Sequence, residues 1–227
     1  MYISKGALVV GEWRGAPVRF HWSVALGVLV FGGLRWRPGF WLGFCLLVLI
    51  HELGHAFLVH RFGLKIHDVV VHGFGGYCEW SGSATPMERA IIAWGGIWAQ
   101  MLILPLAFLL LYFDGTPYSV FKAEMFQVFT RYNIWLILLN MIPVRPLDGA
   151  EAWSLFGIKW REYKLARLSG GSVLGSFLGL FRASWRGGKT RRDITRRTSE
   201  INGPGDAWMN ELMGPLRKEG KNREPPE

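Results

Sequence analysis

The sequence predicts an all-α polytopic membrane protein with about four transmembrane helices and a short β-strand or hairpin between the second and third. Three observations carry that expectation. Of the 227 residues, 50% are hydrophobic and only 19% are charged, whereas an ordinary soluble domain carries about 25% charged residues. The apolar residues are gathered into long runs, and mean hydropathy is +0.19. Between two of those runs lies "LKIHDVVVHGFGGYCEWSG", which is β-branched and punctuated by glycine.

A helix needs about 20 apolar residues to cross a bilayer. The first expected span is Val18–Leu34, "VRFHWSVALGVLVFGGL", short and glycine-containing. "RWRPG" (Arg35–Gly39) turns into the second, Phe40–His60. The third is Ile91–Phe113. The fourth is Phe126–Pro143, which Arg131 and Asn133 interrupt. "DVVVHGF" (Asp68–Phe74) partly alternates, and Gly73, Gly75 and Gly76 surround its end, so a strand or hairpin is expected there rather than a helix. Residues 1–153 thus form a membrane-embedded core. Residues 154–227 form a basic tail, partly interfacial or disordered. Within it, Gly170–Phe181 is too short and glycine-rich to cross, and the terminal "NREPPE" lacks the apolar residues a packed structure needs.

The formal net charge of +9 fits basic residues flanking membrane spans better than nucleic-acid binding. Four spans place both termini on one side. The basic N-terminal segment and tail make that side cytoplasmic, together with Arg61, Lys65 and Arg89. Arg35 and Arg37 oppose the rule in a very short loop. From Arg186 to Arg197, six basic residues face one acid, Asp193. Contact with anionic lipid is the favoured reading of that stretch, ahead of an acidic partner or nucleic acid. Cys45 and Cys78 give no disulfide framework and read as small apolar fillers. No cleavable leader is expected, because the first apolar run lacks a small-residue cleavage site.

The second expected span, "FWLGFCLLVLIHELGHAFLVHRFG", carries His51, Glu52 and His55. Placing one such charged side chain in a bilayer costs about 2.5–3.5 kcal/mol on insertion scales. Something must offset that cost. Histidines at i and i+4 share one helix face one turn apart, so both can ligate one metal ion. Glu52, beside the first, can reach a water at the metal without binding the metal itself. Zinc lowers that water's pKa to about 7 and leaves Glu52 as general base. A catalytic zinc usually has three protein ligands. The second and fourth spans run the same way, so a third ligand belongs near the end of the fourth. There stands "NMIPVRPLDG", with Asp148. Pro143 and Pro146 break the helix, and irregular backbone at membrane depth is tolerated where it lines a cavity or packs in protein.

The chain resembles the site-2 protease family of intramembrane zinc metalloproteases. "HELGH" (His51–His55), "GFGGYCEW" (Gly73–Trp80), "GGIWAQ" (Gly95–Gln100) and "NMIPVRPLDG" (Asn140–Gly149) carry the likeness, which covers about Val18 to Trp153. The resemblance implies one Zn2+ per chain held by His51, His55 and Asp148, with Glu52 as general base. It implies that Asn140 helps hold the substrate or the tetrahedral intermediate. It also implies that the Gly73–Trp80 region, Gly75 and Gly76 included, offers a strand edge to an unwinding substrate helix. Gln100 stands where many members carry Asn; it keeps the amide on a longer stem and is a candidate for the same stabilising role. The expected activity is hydrolysis of a peptide bond in or near the transmembrane segment of a membrane-protein substrate. The alternative is a non-catalytic membrane zinc protein that binds client segments without cutting them. A zinc transporter is less expected, because no internal repeat is visible.

Overall fold

The computed structural model of the chain describes residues 3–4, 6–114, 119–168, 187–191 and 193. Three strands come first: β1 (Ile3–Ser4), β2 (Ala7–Trp13) and β3 (Ala16–His21). Helices α1 (Val24–Phe31) and α2 (Pro38–Arg61) follow. Next come β4 (Lys65–His72) and β5 (Gly75–Ser81), then α3 (Pro86–Asp114). Helix α4 (Val120–Gln127), a π-helical turn (Val128–Tyr132) and α5 (Asn133–Asn140) run on from one another. Two further helices, α6 (Gly149–Ala152) and α7 (Ser154–Leu168), follow the loop after α5.

Among the described residues, α2 and the Pro86–Leu110 part of α3 are long and apolar enough to cross a membrane. The 24 residues of α2 rise about 36 Å at 1.5 Å each, against a hydrocarbon core of about 30 Å. Pro38 opens α2, where its missing N–H is no loss. The backbone N–H groups of Gly39 and Phe40 donate to the buried carboxylate of Glu124, at 3.0 and 3.3 Å. Helix α3 opens on a reciprocal cap: Thr85 N–H donates to Glu88 Oε2 at 2.8 Å, and Glu88 N–H donates to Thr85 Oγ1 at 3.2 Å. Its first half buries Met87, Ala90, Ile91, Ile92, Ala93 and Ile97. Its second half exposes Met101, Leu102, Leu106, Leu109 and Leu110, a face suited to lipid.

The strands form one mixed sheet in the order β1-β2-β3-β4-β5. Only β3 and β4 pair in parallel, with Val18 opposite Val69 and Phe20 opposite Val71. The α1–α2 excursion is the crossover between them, so it must return to the side it left. Val18, Ala56 and Val69 bind the sheet to α2. Farther along α2, Phe40, Phe44, Leu47 and Val48 pack with Val28, Val71 and Val128. The C-terminal end of α2 packs Leu58, Val59 and Phe62 on Met87, Ile91 and Ile92 of α3.

The hairpin expected between the second and third spans is present as β4 and β5. It belongs to a five-stranded sheet, so the chain is mostly helical rather than all-α. The expected first span, Val18–Leu34, is strand as far as His21 and then an eight-residue helix. Eight residues rise about 12 Å and cannot cross. The alternation of Val18 and Phe20 is satisfied by pairing with β4, and the helix stops at Gly32 and Gly33, the latter at φ 71°. The expected fourth span, Phe126–Pro143, starts inside α4 and loses its helix after Asn140. Its polar interruption is absorbed by the π-turn: buried Asn133 donates through Nδ2 to Phe129 O (3.2 Å) and Gln100 O (3.0 Å). Among the described residues two helices are both long and apolar enough to cross, against the four expected; the continuous α4–π–α5 run carries Lys122, Glu124 and Arg131. The count of four spans, on which placing both termini on one side rested, is not reached among the described residues.

The segments Gly170–Phe181 and "NREPPE" lie outside the described residues, as does part of Arg186–Arg197. Residues 187–191 form a helical turn. Arg191 Nη1 donates to Phe62 O at 2.9 Å, and its Nη2 lies 3.7 Å from Glu88 Oε2. At least this cation of the basic stretch docks on the protein, at the junction of α2 and α3.

Candidate metal centre

His51 and His55 lie on one face of α2, both buried, and Asp148 lies just before α6. Their donor atoms converge. His51 Nε2 and His55 Nε2 are 3.1 Å apart. Asp148 Oδ2 is 2.8 Å from the first and 3.2 Å from the second.

The outer ring nitrogens decide what this triangle can hold. His55 Nδ1 is 2.7 Å from the backbone oxygen of Ile92. A carbonyl only accepts, so Nδ1 carries the proton. His51 Nδ1 faces the amide oxygen of Gln100 at 3.1 Å and carries the proton too. With Nδ1 bonded outward, each ring turns its Nε2 toward Asp148 Oδ2, which is itself buried. Three ligand atoms this close, one of them on a carboxylate, call for positive charge among them. A proton relieves one edge of the triangle; a cation at its centre relieves all three. The edges of a tetrahedral zinc site with nitrogen and oxygen ligands are about 3.3 Å, close to those observed. The residues present fit zinc by donor type, tautomer and spacing.

Helix α3 sets this geometry. Gly54 of α2 and Gly95 of α3 face each other, and a Cβ on Gly54 would overlap Gly95 O. That pair lets the two backbones approach closely. Gly96 leaves room for the His51 imidazole, which any side chain there would strike. Ile92, Gly96 and Gln100 stand four residues apart on one face of α3. They supply, in turn, the acceptor for His55, the space for His51 and the acceptor for His51.

Glu52 is buried beside the triad, under strand β5. A Cβ on Gly76 would lie 2.5–2.8 Å from Glu52 Cγ, Oε1 and Cδ, so the strand can cover the carboxylate only with glycine there. Gly75, at φ 143°, has a backbone suited to glycine alone. Both glycines, Glu52, Asn140, Arg145 and Asp148 line a single cavity of about 1120 Å³. His72 and Cys78 line it too. Burial, and then the neighbouring His21, hold His72 below its usual pKa. Burial, and then Glu52 and Asp68, push the Cys78 thiol up to about 12.

Sequence reasoning brought together His51, Glu52, His55, Asn140, Gly75, Gly76 and Asp148, and the structure places all of them around one cavity. Gln100 also lines it, but its amide oxygen is turned to His51. The parts played by the Ile92 carbonyl, Gly96 and the Gly54–Gly95 crossing were not read. The adjacent glycines of "WGGIWAQ" in an apolar run were the available signal.

Comparison with known proteins agrees with this centre. Residues 39–131 match peptidase family M50. Stage IV sporulation protein FB of Bacillus subtilis is 34% identical over 168 residues, 69% of this chain and 54% of that protein. The putative zinc metalloprotease Rip3 of Mycobacterium tuberculosis is 30% identical over 180 residues, 70% of this chain and 45% of its own length. The chain therefore spans about half the length of these relatives. The solved site-2 protease from Methanocaldococcus jannaschii has a similar fold, with a TM-score of 0.52 and 17% identity, covering 82% of this chain and 95% of that one. Over residues 39–131 the chain is thus similar to peptidase family M50, and Asp148, the third member of the triad, follows that match in sequence.

Proposed function

We propose that the chain is an intramembrane zinc metalloprotease that hydrolyses a peptide bond in or near the transmembrane segment of a membrane-protein substrate. The observation that carries this is the convergence of His51 Nε2, His55 Nε2 and Asp148 Oδ2 on one point, next to a buried, glycine-covered glutamate. His51, His55 and Asp148 would hold zinc, which when bound supplies Lewis acidity, polarising a carbonyl and acidifying water. Glu52 accepts the proton of the attacking water on its carboxylate and returns it to the departing amine nitrogen. Strand β5 pairs with β4 on one side and ends the sheet. Its other edge supplies backbone partners to a substrate helix that must unwind before it can be cut. Asn140, at the cavity wall, binds the substrate. Gln100 orients His51 rather than touching substrate.

The protein is an integral membrane protein in this reading. Strands β1 to β5 share one sheet, so the N-terminal strands and the histidine-bearing end of α2 occupy one membrane face. Arg61, Lys65 and Arg89 make that face cytoplasmic. The test compares the membrane proteome of cells carrying wild type or Glu52→Gln. An uncut membrane protein should accumulate with the variant. Identical proteomes, with both proteins zinc-loaded, would favour a zinc protein that binds without cutting.

A further inference from the structure

Asp148 sits on a loop, while its partner histidines sit on a long helix. The third ligand must be held from outside the helix. The loop runs from the end of α5 at Asn140 to α6 at Gly149, and three contacts close it. A Cβ on Gly149 would overlap Ile142 O, so the loop's two ends touch there. Trp153 donates its indole N–H to Met141 O at 2.6 Å, across the base of the loop. Trp94 of α3 donates its indole N–H to Ala152 O at 2.9 Å. The Trp94 ring lies 6.4 Å from Trp153 and 6.1 Å from Phe156, and Trp153 and Phe156 are 5.2 Å apart.

We propose that Trp94 and Trp153 are positioning residues for the metal, whose indole N–H groups hold the Asp148 loop in register with the two histidines. The inference rests on the zinc-site reading above. Its logic is that of a shared template. Helix α3 orients His51 through Gln100 and His55 through the Ile92 carbonyl. Through Trp94 the same helix grips the segment four residues beyond Asp148. Trp153 then prevents the loop from opening away from α5. Both donors satisfy carbonyls at helix ends, where the backbone ladder leaves acceptors free. Replacing either indole by a phenyl ring keeps an aromatic contact, removes the N–H and lets Oδ2 drift from the triangle. Contacts that orient metal ligands are worth about 10- to 100-fold in metal affinity.

The experiment uses the full chain in detergent, loaded with zinc, in competition with a chromogenic chelator. Trp153→Phe and Trp94→Phe keep an aromatic ring and remove the donor. Trp98→Phe makes the same change on a ring stacked 6.1 Å from Trp94. The first two should release zinc at about tenfold lower chelator concentration, with Trp98→Phe at the wild-type level. Cobalt(II)-loaded protein supplies a readout that general loosening does not move. Its visible ligand-field bands should shift in Trp153→Phe and Trp94→Phe at unchanged melting temperature, and should stay put in Trp98→Phe. Wild-type chelator curves and bands in both donor variants would overturn the positioning role and leave the zinc site standing. A wild-type chain that holds neither metal would overturn both.

Discussion

At the scale of single residues, the account rests on which nitrogen of each histidine carries a proton. Gln100 accepts from His51 Nδ1 and so leaves Nε2 bare for a metal. Gln100→Leu removes that acceptor and should weaken zinc retention about tenfold, while Gln100→Glu, which still accepts, should retain more. Equal chelator curves for Leu and wild type would show that the tautomer is fixed by something else. Gly96 is tested by adding one methyl group. Gly96→Ala drives a Cβ into the His51 ring, and overpacking of this kind costs about 1–3 kcal/mol. Both the melting temperature and the zinc content of purified protein should fall.

At the scale of elements, α2 is held at each end by a charged side chain from elsewhere in the chain. Near its start, Glu124 takes Gly39 N–H and Phe40 N–H, and pairs with Arg37 Nε at 3.2 Å. Removing one partner of such a mostly buried pair strands the other. Glu124→Ala should cost about 2–3 kcal/mol, visible as a lower unfolding temperature in detergent with zinc stoichiometry kept. At its other end, Arg191 donates to Phe62 O. The elements also show how far the sequence could be read. "HELGH" was legible because i, i+4 spacing on a helix fixes geometry by itself. Asp148 was legible because a helix-breaking, proline-rich turn at the right depth carried one acid. The N-terminal sheet was not, because "VRFHW" alternates over only five residues at the head of an apolar run, too few to decide between strand and helix. Pairing with Val69–Val71, some fifty residues away, decides it. The α3 face that orients the histidines was hidden for a similar reason. One of its contributions is a backbone carbonyl, and its position depends on the Gly54–Gly95 crossing.

At the scale of the whole molecule, the sheet and the metal centre occupy the same end. The parallel β3–β4 pair brings the α1–α2 excursion back to the side of its origin. The same end receives the 187–191 turn through Arg191. The basic stretch around it should bind vesicles containing anionic lipid and ignore neutral ones. Flotation of a peptide spanning 186–197 checks this, and indifference to lipid charge would count against anchoring. The second half of α3 exposes Met101, Leu102, Leu106, Leu109 and Leu110, an apolar face suited to lipid.

The most direct test of the account is the metal content of purified protein, by mass spectrometry, for wild type, Glu52→Gln, His55→Ala and Asp148→Ala. Wild type and Glu52→Gln should each hold about one zinc per chain, since Glu52 lies beside the triad without belonging to it. His55→Ala and Asp148→Ala should hold far less, because two donors do not make a closed set. Full zinc occupancy in Asp148→Ala, or loss of zinc in Glu52→Gln, would contradict the assignment of ligands and base.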